Sequence, residues 1–405
     1  MNRKQLSILV VLAVVIGGAG IWALKNREQS WTESSAALGQ KLLPNLPVND
    51  ITQIHIKGSS ELNLVKKDDT WGVQERGNYP ANYTEISEFI LKSADLKVLQ
   101  AEPIGASQLA HMELESPGKS GGSSGTLLEF RGAGGKAIQS VLLGKKHAHK
   151  SDRPDPYGMG ESSDGRYVMR TDDTKNVLLI SDPLSTVEPN ADHWLNKDFF
   201  KVEKVRSITL NSTNSASSWK VTRDTESGPW KLVDAKAGEV LDTNKVSSLG
   251  STLSSPGFVD VSTNSAADAG LDKPMTLVIE TFDNFNYTIR LGNKTPENNY
   301  YTQVAVTANL PKERTPAKDE KPEDKARLDK EFADKNKPLQ DKLANEQKLD
   351  KWTYLVASWT VDPVTRNRAD LLEEKKEEKK ATTAATNKTV TVKSPAPAPT
   401  KTAAK

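Results

Sequence analysis

The chain has 405 residues, is 36% hydrophobic and 27% charged, and carries a formal net charge of +2. That length allows two or three domains, and the near-neutral balance gives no electrostatic basis for binding nucleic acid. The absence of cysteine excludes disulfides, thiolate catalysis, cysteine zinc sites and a lipid-modified N-terminal cysteine.

Residues 1–5 form a short basic start containing Arg3 and Lys4. Leu6 to Leu24 follow without a charge. At about 1.5 Å per residue this stretch spans roughly 28 Å as a helix, close to a hydrocarbon core of about 30 Å. It predicts a transmembrane anchor over 6–24, with Trp22 at the interface. The competing reading is a cleaved signal peptide, with Gly18 and Gly20 before the cut. The anchor reading expects a single-pass membrane protein with its basic start in the cytoplasm and its bulk outside. Lys25 and Arg27 nearly balance Arg3 and Lys4, so charge alone does not fix the orientation. Residues 25–46 read as a linker.

Two copies of one unit follow, predicted as repeat domains over 47–200 and 201–372. "QIHIKGSSELNLVKKDDTWGV" and "SITLNSTNSASSWKVTRDTESGPWKLV" each read as strand, polar turn, strand, charged turn and a Trp-led strand. Trp71 answers Trp230. A helix comes next in each copy. Thr84 is expected to cap one, with Ile86, Phe89 and Ile90 as its apolar stripe. Asp242 or Thr243 is expected to cap the other, with Val246, Leu249 and Leu253. The match continues from Leu114 to Leu271, from Leu143-Gly144 to Leu291-Gly292, and from Ala191-Asp192 to Ala369-Asp370. The fold class is therefore α+β: two tandem related domains, each a mainly antiparallel sheet with a packed helix.

In copy one, "YVMRTDDTKNVLLI" reads as a hairpin. In copy two the matching strands are separated by a charged insertion, 308–351, at the place of the hairpin tip. Its second half is rich in helix formers and predicts a helical projection broken near Pro338. Residues 373–405 open on a Glu/Lys block and end in Ala, Thr, Pro and Lys. Such a composition cannot build a core and predicts a disordered tail.

The phrases "LLPNLPVNDITQIHI", "VKKDDTWGVQERGNYPANYTEI", "ADLKVLQAEP", "LLGKK" and "DHWLNKDFFKVEKVRSITL" resemble the bacterial family called domain of unknown function 4340. They cover most of copy one and the entry to copy two, and are structural patterns rather than a catalytic signature. The resemblance implies an N-terminal membrane segment and an external bulk. In some members it implies association with ABC-transporter components of the gliding-motility type. It implies no activity for particular residues, and the charged insertion departs from it.

Chemistry is hard to find. His147 and His149, with Asp152 and Asp155 nearby, could share a strand face and hold a metal. They also read as a polar loop, and copy two has no such pair. His55, His111 and His193 stand alone as surface or partly buried polar residues. "GKSGGSSG" and "GAGG" lack the strand-before, helix-after context of a phosphate loop, and "GAGG" reads as a hairpin turn. There is no Gly-x-Ser-x-Gly. No catalytic or cofactor-binding residue is assigned, no cofactor is called, and the metal candidates are His147, His149 and Asp152.

What the copies share is apolar strands, a Trp, a Leu-Gly step and Asp-Pro turns, and none of these does chemistry. The expected function is a non-catalytic, membrane-anchored scaffold or accessory protein outside the cytoplasm, with an ABC-transporter permease as the membrane partner. Its interaction surface would draw on Tyr79, Tyr83, Leu328, Phe332, Leu339 and Leu343. Tyr79 and Tyr83 are particular to copy one, where Gly238 and Asp242 stand near their places in copy two. The alternative is a periplasmic binding module for a small molecule or cell-wall glycan, with a groove between the copies. A hydrolase using the His147 loop is the third reading.

Overall fold

A computed structural model of the chain describes residues 17, 38–118, 124–148, 163–316 and 320–373. The expected anchor, apart from Gly17, and the tail beyond Glu373 lie outside the described residues, as do His149, Asp152 and Asp155. Among the described residues no helix is long and apolar enough to cross a membrane.

Strict alternation builds the first sheet. β1 (Gln53–Lys57) and β2 (Glu61–Lys67) turn Ile54, Ile56, Leu62 and Leu64 to the core, with polar residues between them on the other face. β3 (Thr70–Val73) and β4 (Tyr79–Pro80) extend one edge. α1 (Tyr83–Asp95) follows, then β5 (Val98–Pro103), β6 (Thr126–Arg131), β7 (Ala137–Ala148), β8 (Ser163–Arg170) and β9 (Asp173–Ile180). The order is β4-β3-β2-β1-β6-β7-β8-β9-β5, and every pair is antiparallel. Ile86, Phe89 and Ile90 of α1 are buried, with Phe89 stacked on Phe130 at 5.8 Å. The cap of α1 is Asn82, not Thr84: its side chain accepts from the Thr84 and Glu85 N–H groups. Asn82 stands just before the helix with an amide oxygen that reaches those donors, whereas Thr84 is already the second helical residue.

The second sheet contains β10 (Val205–Asn211), β11 (Trp219–Thr222), β12 (Lys231–Leu232), β13 (Asp260–Ser262), β14 (Met275–Thr281), β15 (Phe285–Lys294), β16 (Asn299–Ala308) and β17 (Thr353–Ala357). Its order is β12-β11-β10-β14-β15-β16-β17-β13, again antiparallel. This is the order of the first sheet with β4 removed. Smaller features repeat with it. Both sheets carry a register shift just after the Leu-Gly step, between Leu143 and Lys146 and between Leu291 and Lys294. Asn82 N–H donates to Trp194 O in one half, and Asp242 N–H donates to Leu371 O in the other.

The Leu-Gly step lies inside a strand, where a loop carbonyl docks. Lys145 N–H donates to Met112 O at 2.9 Å, and Asn293 N–H donates to Ala269 O at 2.8 Å. A Cβ on Gly144 or Gly292 would overlap that same carbonyl oxygen. The docking loop has a left-handed residue in each half, Glu113 (φ 56°) and Gly270 (φ 70°), followed by buried Leu114 or Leu271.

Further expectations change. The second helix shrinks to α2 (Thr243–Val246), capped by Asp242, and continues as a 3-10 turn over Ser247–Gly250. Side-chain hydroxyls compete there for backbone carbonyls: Ser247 Oγ donates to Asn244 O, and Thr252 Oγ1 donates to Ser248 O. Val246, Leu249 and Leu253 are nevertheless buried. Trp230 is half-buried beneath the Arg223 guanidinium, 4.8 Å from its ring centre, whereas Trp71 is core. Leu42, Leu43 and Leu46, within the expected linker, are buried in that core too.

β16 and β17 are paired neighbours, Thr302 opposite Tyr354, so the insertion does sit at a hairpin tip. It forms α3 (Pro322–Glu346), which runs unbroken through Pro338. Proline deletes one N–H donor and crowds the preceding turn. The turns beyond it are held from outside the helix, with Leu339 and Leu343 packed on the core. The C-terminal half of α3 is therefore a docked element and not a free projection.

The glycine dockings give a paired prediction. Gly144→Ala and Gly292→Ala should each cost about 1–3 kcal/mol, the usual scale for overpacking. Gly257→Ala, with open space around its Cβ, should change stability by less than about 0.5 kcal/mol. Chemical denaturation of the three variants checks this, and a tolerated Gly292→Ala would contradict the docking.

Candidate functional site

Tyr79 carries the edge of the first sheet into the second half. Gly77 and Asn78 both adopt left-handed φ, 66° and 62°, turning the chain back so that Tyr79 lies opposite Val73. A hydrogen suffices at Gly72, where a Cβ would stand 3.1 Å from Asn78 O. Tyr79 then enters a ring cluster edge-on, with Trp352 at 5.0 Å, Phe258 at 5.8 Å and Tyr354 at 6.0 Å. Phe199 adds contacts to Phe258 at 5.2 Å and Tyr354 at 4.8 Å. The rings come from the first half, the connector and the second half, and edge-to-face pairs add to the burial of their apolar area. The Tyr79 hydroxyl donates to Asn196 O at 3.2 Å, and burial pushes its pKa up to about 12.

Beside the rings, the Arg76 guanidinium grips Asp260 with two parallel bonds of 2.7 Å. This fork geometry is the strong form of an ion pair, and it holds the Arg76 pKa above its ordinary value.

The connector backbone is held by α3. Lys201 N–H donates to Glu346 Oε1 at 2.9 Å. Lys201 O accepts from Lys342 Nζ at 2.7 Å and from the Tyr287 hydroxyl at 3.0 Å. Lys342 also reaches Glu203 at 2.7 Å. The Tyr287 oxygen lies 2.9 Å from Glu346 Oε2 as well. One phenolic proton cannot serve both Lys201 O and a carboxylate. Lys342 already meets Lys201 O, which leaves the Tyr287 proton for Glu346 Oε2. Burial raises the Glu346 pKa above its ordinary value, against the hydrogen bonds from Lys201 N–H and Tyr287.

Above this junction opens a cleft of about 520 Å³. Tyr79, Phe199, Trp352 and Tyr354 line it, with Asp198, Lys201 and Lys348 among the charged groups around them. The Tyr354 side chain is fully buried, its hydroxyl set against that of Tyr79.

Leu339 and Leu343 pack on the core and Tyr79 lies at the junction, but Tyr79 is not a surface residue: only 3% of it is exposed, because the ring cluster encloses it. Tyr83 is 66% exposed, on the far side of the Asn82 cap. Leu328 and Phe332 are half-buried on the first half of α3. His147 is half-buried on β7, with Nδ1 2.6 Å from Asp164 Oδ1. Among the described residues no group of three or more histidines and carboxylates has metal-binding geometry.

Phe258, Asp260 and Glu346 were not singled out from sequence. Their one available cue was the aromatic doublet Phe199-Phe200, placed just before copy two. His55 is also more than a lone polar residue. It is buried on the outer face of the first sheet, with Nδ1 2.8 Å from Glu129 Oε2 and Nε2 2.9 Å from Glu61 Oε1. Burial works to raise the Glu129 carboxyl, but bonds from His55 and Arg131 outweigh it and hold it below the ordinary range.

Two predictions follow from the junction. Tyr79→Ala should cost about 3–5 kcal/mol, the range for buried aromatic truncations, and Tyr79→Phe about 0.5–1.5 kcal/mol for one lost hydrogen bond. Denaturation curves for both report it. Glu346 sets a pH dependence. Its folded pKa lies above the ordinary 4.5, so ionisation is less favourable in the folded chain. Stability is therefore lost as pH rises from about 4.5 through the raised value. Glu346→Gln keeps an acceptor for Lys201 N–H and a donor for Tyr287. Its Tm should gain on that of the wild type between pH 4 and pH 8, whereas a widening wild-type advantage would mean that the buried group is a stabilising carboxylate.

Comparison with curated proteins gave no match, nor did comparison with solved structures. The model of the family described as a domain of unknown function (DUF4340) matches residues 71–274, from Trp71 in β3 to Pro274 ahead of β14. With just over half of its length matched, the chain belongs to the DUF4340 family.

Proposed function

We propose that the protein is a non-catalytic scaffold held in a bacterial inner membrane by residues 6–24, with two tandem copies of one α+β unit outside the cytoplasm. The observation that carries this reading is the junction itself. Rings from both halves, a forked ion pair and a helix that ties down the connector backbone make the two sheets one body. Rigidity between two repeated units suits presentation of a fixed surface. What the halves repeat is frame: strand order, docking glycines and helix caps. The uncharged stretch from Leu6 to Leu24 supports the anchor. The exposed charged face of α3's first half and the tail after Leu372 are the surfaces for a membrane-protein partner, with the permease of an ABC transporter as the proposed class.

A second reading has a specific observation in its favour. The cleft lies between the halves, is lined by aromatic rings and is close in size to small-molecule pockets of about 300–1,000 Å³. It supports a binding module.

The scaffold reading is tested in cells. A periplasm-dependent reporter fused after Lys405 should be active, and the full chain should resist carbonate extraction from membranes. After cross-linking in intact cells, a permease and its ATPase should co-purify. They should be depleted when Lys325, Lys330 and Lys337 on the exposed face of α3 are reversed to Glu. A reporter active only in the cytoplasm would overturn the topology. A partner set without any membrane protein would overturn the scaffold role.

A further inference from the structure

Exposed apolar side chains that stand singly need no explanation, but a contiguous group marks a contact surface. One such group gathers at the β5 edge of the first sheet. Leu38, Leu91 and Leu99 are 49%, 58% and 53% exposed. Gly39 N–H donates to Val98 O, so Leu38 and Leu99 flank one backbone hydrogen bond. Leu91 precedes Asp95 by one turn of α1, and the Asp95 carboxylate holds Lys41 at 2.8 Å. Lys41 lies opposite Lys97. With Lys92, the same edge carries three exposed ammonium groups. Two of them meet Asp95 and Asp182 in partly exposed pairs, which contribute little and exchange partners readily.

What covers this group follows from where the chain comes from. Residues 25–37, thirteen in all, join the uncharged stretch to Leu38. At about 3.6 Å each they reach at most about 47 Å. A membrane holding residues 6–24 therefore lies within that distance of the β5 edge. The end carrying β12 is remote from it, because β5 and β12 are the outer strands of two sheets that meet by their other edges. Leucines beside lysines suit a bilayer boundary, with the apolar groups at the acyl chains and the ammonium groups at the phosphates.

We propose that the β5 edge rests on the phospholipid surface of the membrane that holds residues 6–24, with Leu38, Leu91 and Leu99 at the boundary between headgroups and acyl chains. This inference rests on the anchor reading above and adds the posture of the body. The β12 end of the second half then stands away from the bilayer.

The chain has no cysteine, so single cysteines replace Leu38, Leu91 or Leu99, and Val233 or Val240 as exposed controls in the second half. Each full chain carries an environment-sensitive fluorophore and is placed in nanodiscs of phosphatidylcholine and phosphatidylglycerol, with or without nitroxide-bearing lipid. The labels at 38, 91 and 99 should be quenched about twofold or more by the nitroxide lipid, and those at 233 and 240 should be unaffected. Leu91→Glu with Leu99→Glu, both at exposed positions, should leave Tm unchanged and release the label at 38 from quenching. Quenching at 38 that survives this double substitution would be due to the tether alone and would overturn the contact. Equal quenching of all five labels, or none at the β5 edge of a chain that stays in the discs, would overturn the contact and keep the anchor. A chain that elutes without discs would overturn both.

Discussion

The connector between the two sheets has no strand of its own, and its backbone passes through a crowded junction. Each buried N–H and C=O there needs a partner outside a ladder. The partners come from both sides. Asn82 N–H donates to Trp194 O, and Asn196 N–H donates to Pro80 O, tying the connector to the first half. Val202 N–H donates to Leu253 O, and α3 holds both polar groups of Lys201. Much of what distinguishes the junction follows from this need. Glu346 is buried because Lys201 N–H must be met. Lys342 faces inward because Lys201 O must be met. The ring cluster then closes over the apolar space left between them.

The repeated hydrogen bonds point to one solution used twice. A loop enters each sheet at a glycine in the long strand, offers a carbonyl to the next N–H, and passes through a left-handed residue before burying a leucine. At the left-handed position the second half has Gly270, which adopts φ of 70° without steric cost, while the first half holds Glu113 at 56°. The first half therefore tolerates strain that the second avoids. Its loop also covers a small outer cluster of Leu114, Leu142, Met169 and Val177, which is one source of the packing that would hold the strained turn in place.

Much of the frame was legible because it obeys short-range rules. Alternation located the strands, Asp242 located a cap, and the charged insertion appeared as an interruption of a known hairpin. The errors have physical causes. Sidedness of Asn82 against Thr84 depends on one side-chain angle that spacing does not record. The serine-rich second helix looked periodic, but its hydroxyls compete for the same carbonyls. The junction was least legible. Tyr79, Phe258 and Tyr354 are far apart in the chain, and their meeting depends on how two complete sheets are set together. Aromatics close in sequence suggested a surface patch, whereas Tyr79 closes a seam and Tyr83 stands in the open.

The way the sheets meet also explains why the extra helix occurs only once. The first half presents its β4 edge, and the second presents its β17 and β13 edge. The contact is head-to-tail, joining unlike edges of similar sheets. An insertion between β16 and β17 starts beside the junction and can reach the connector. The matching hairpin between β8 and β9 lies toward the opposite end of the first sheet, next to β5, where there is no connector to hold. That outer edge would still expose unpaired backbone. The entering chain addresses it: Gly39 N–H donates to Val98 O, Val98 N–H donates to Gln40 O, and Leu42 N–H donates to Leu96 O. Leu42, Leu43 and Leu46 are buried for that reason. Residues 39–46 lie along the edge of the first sheet corresponding to the edge that the first half itself covers on the second.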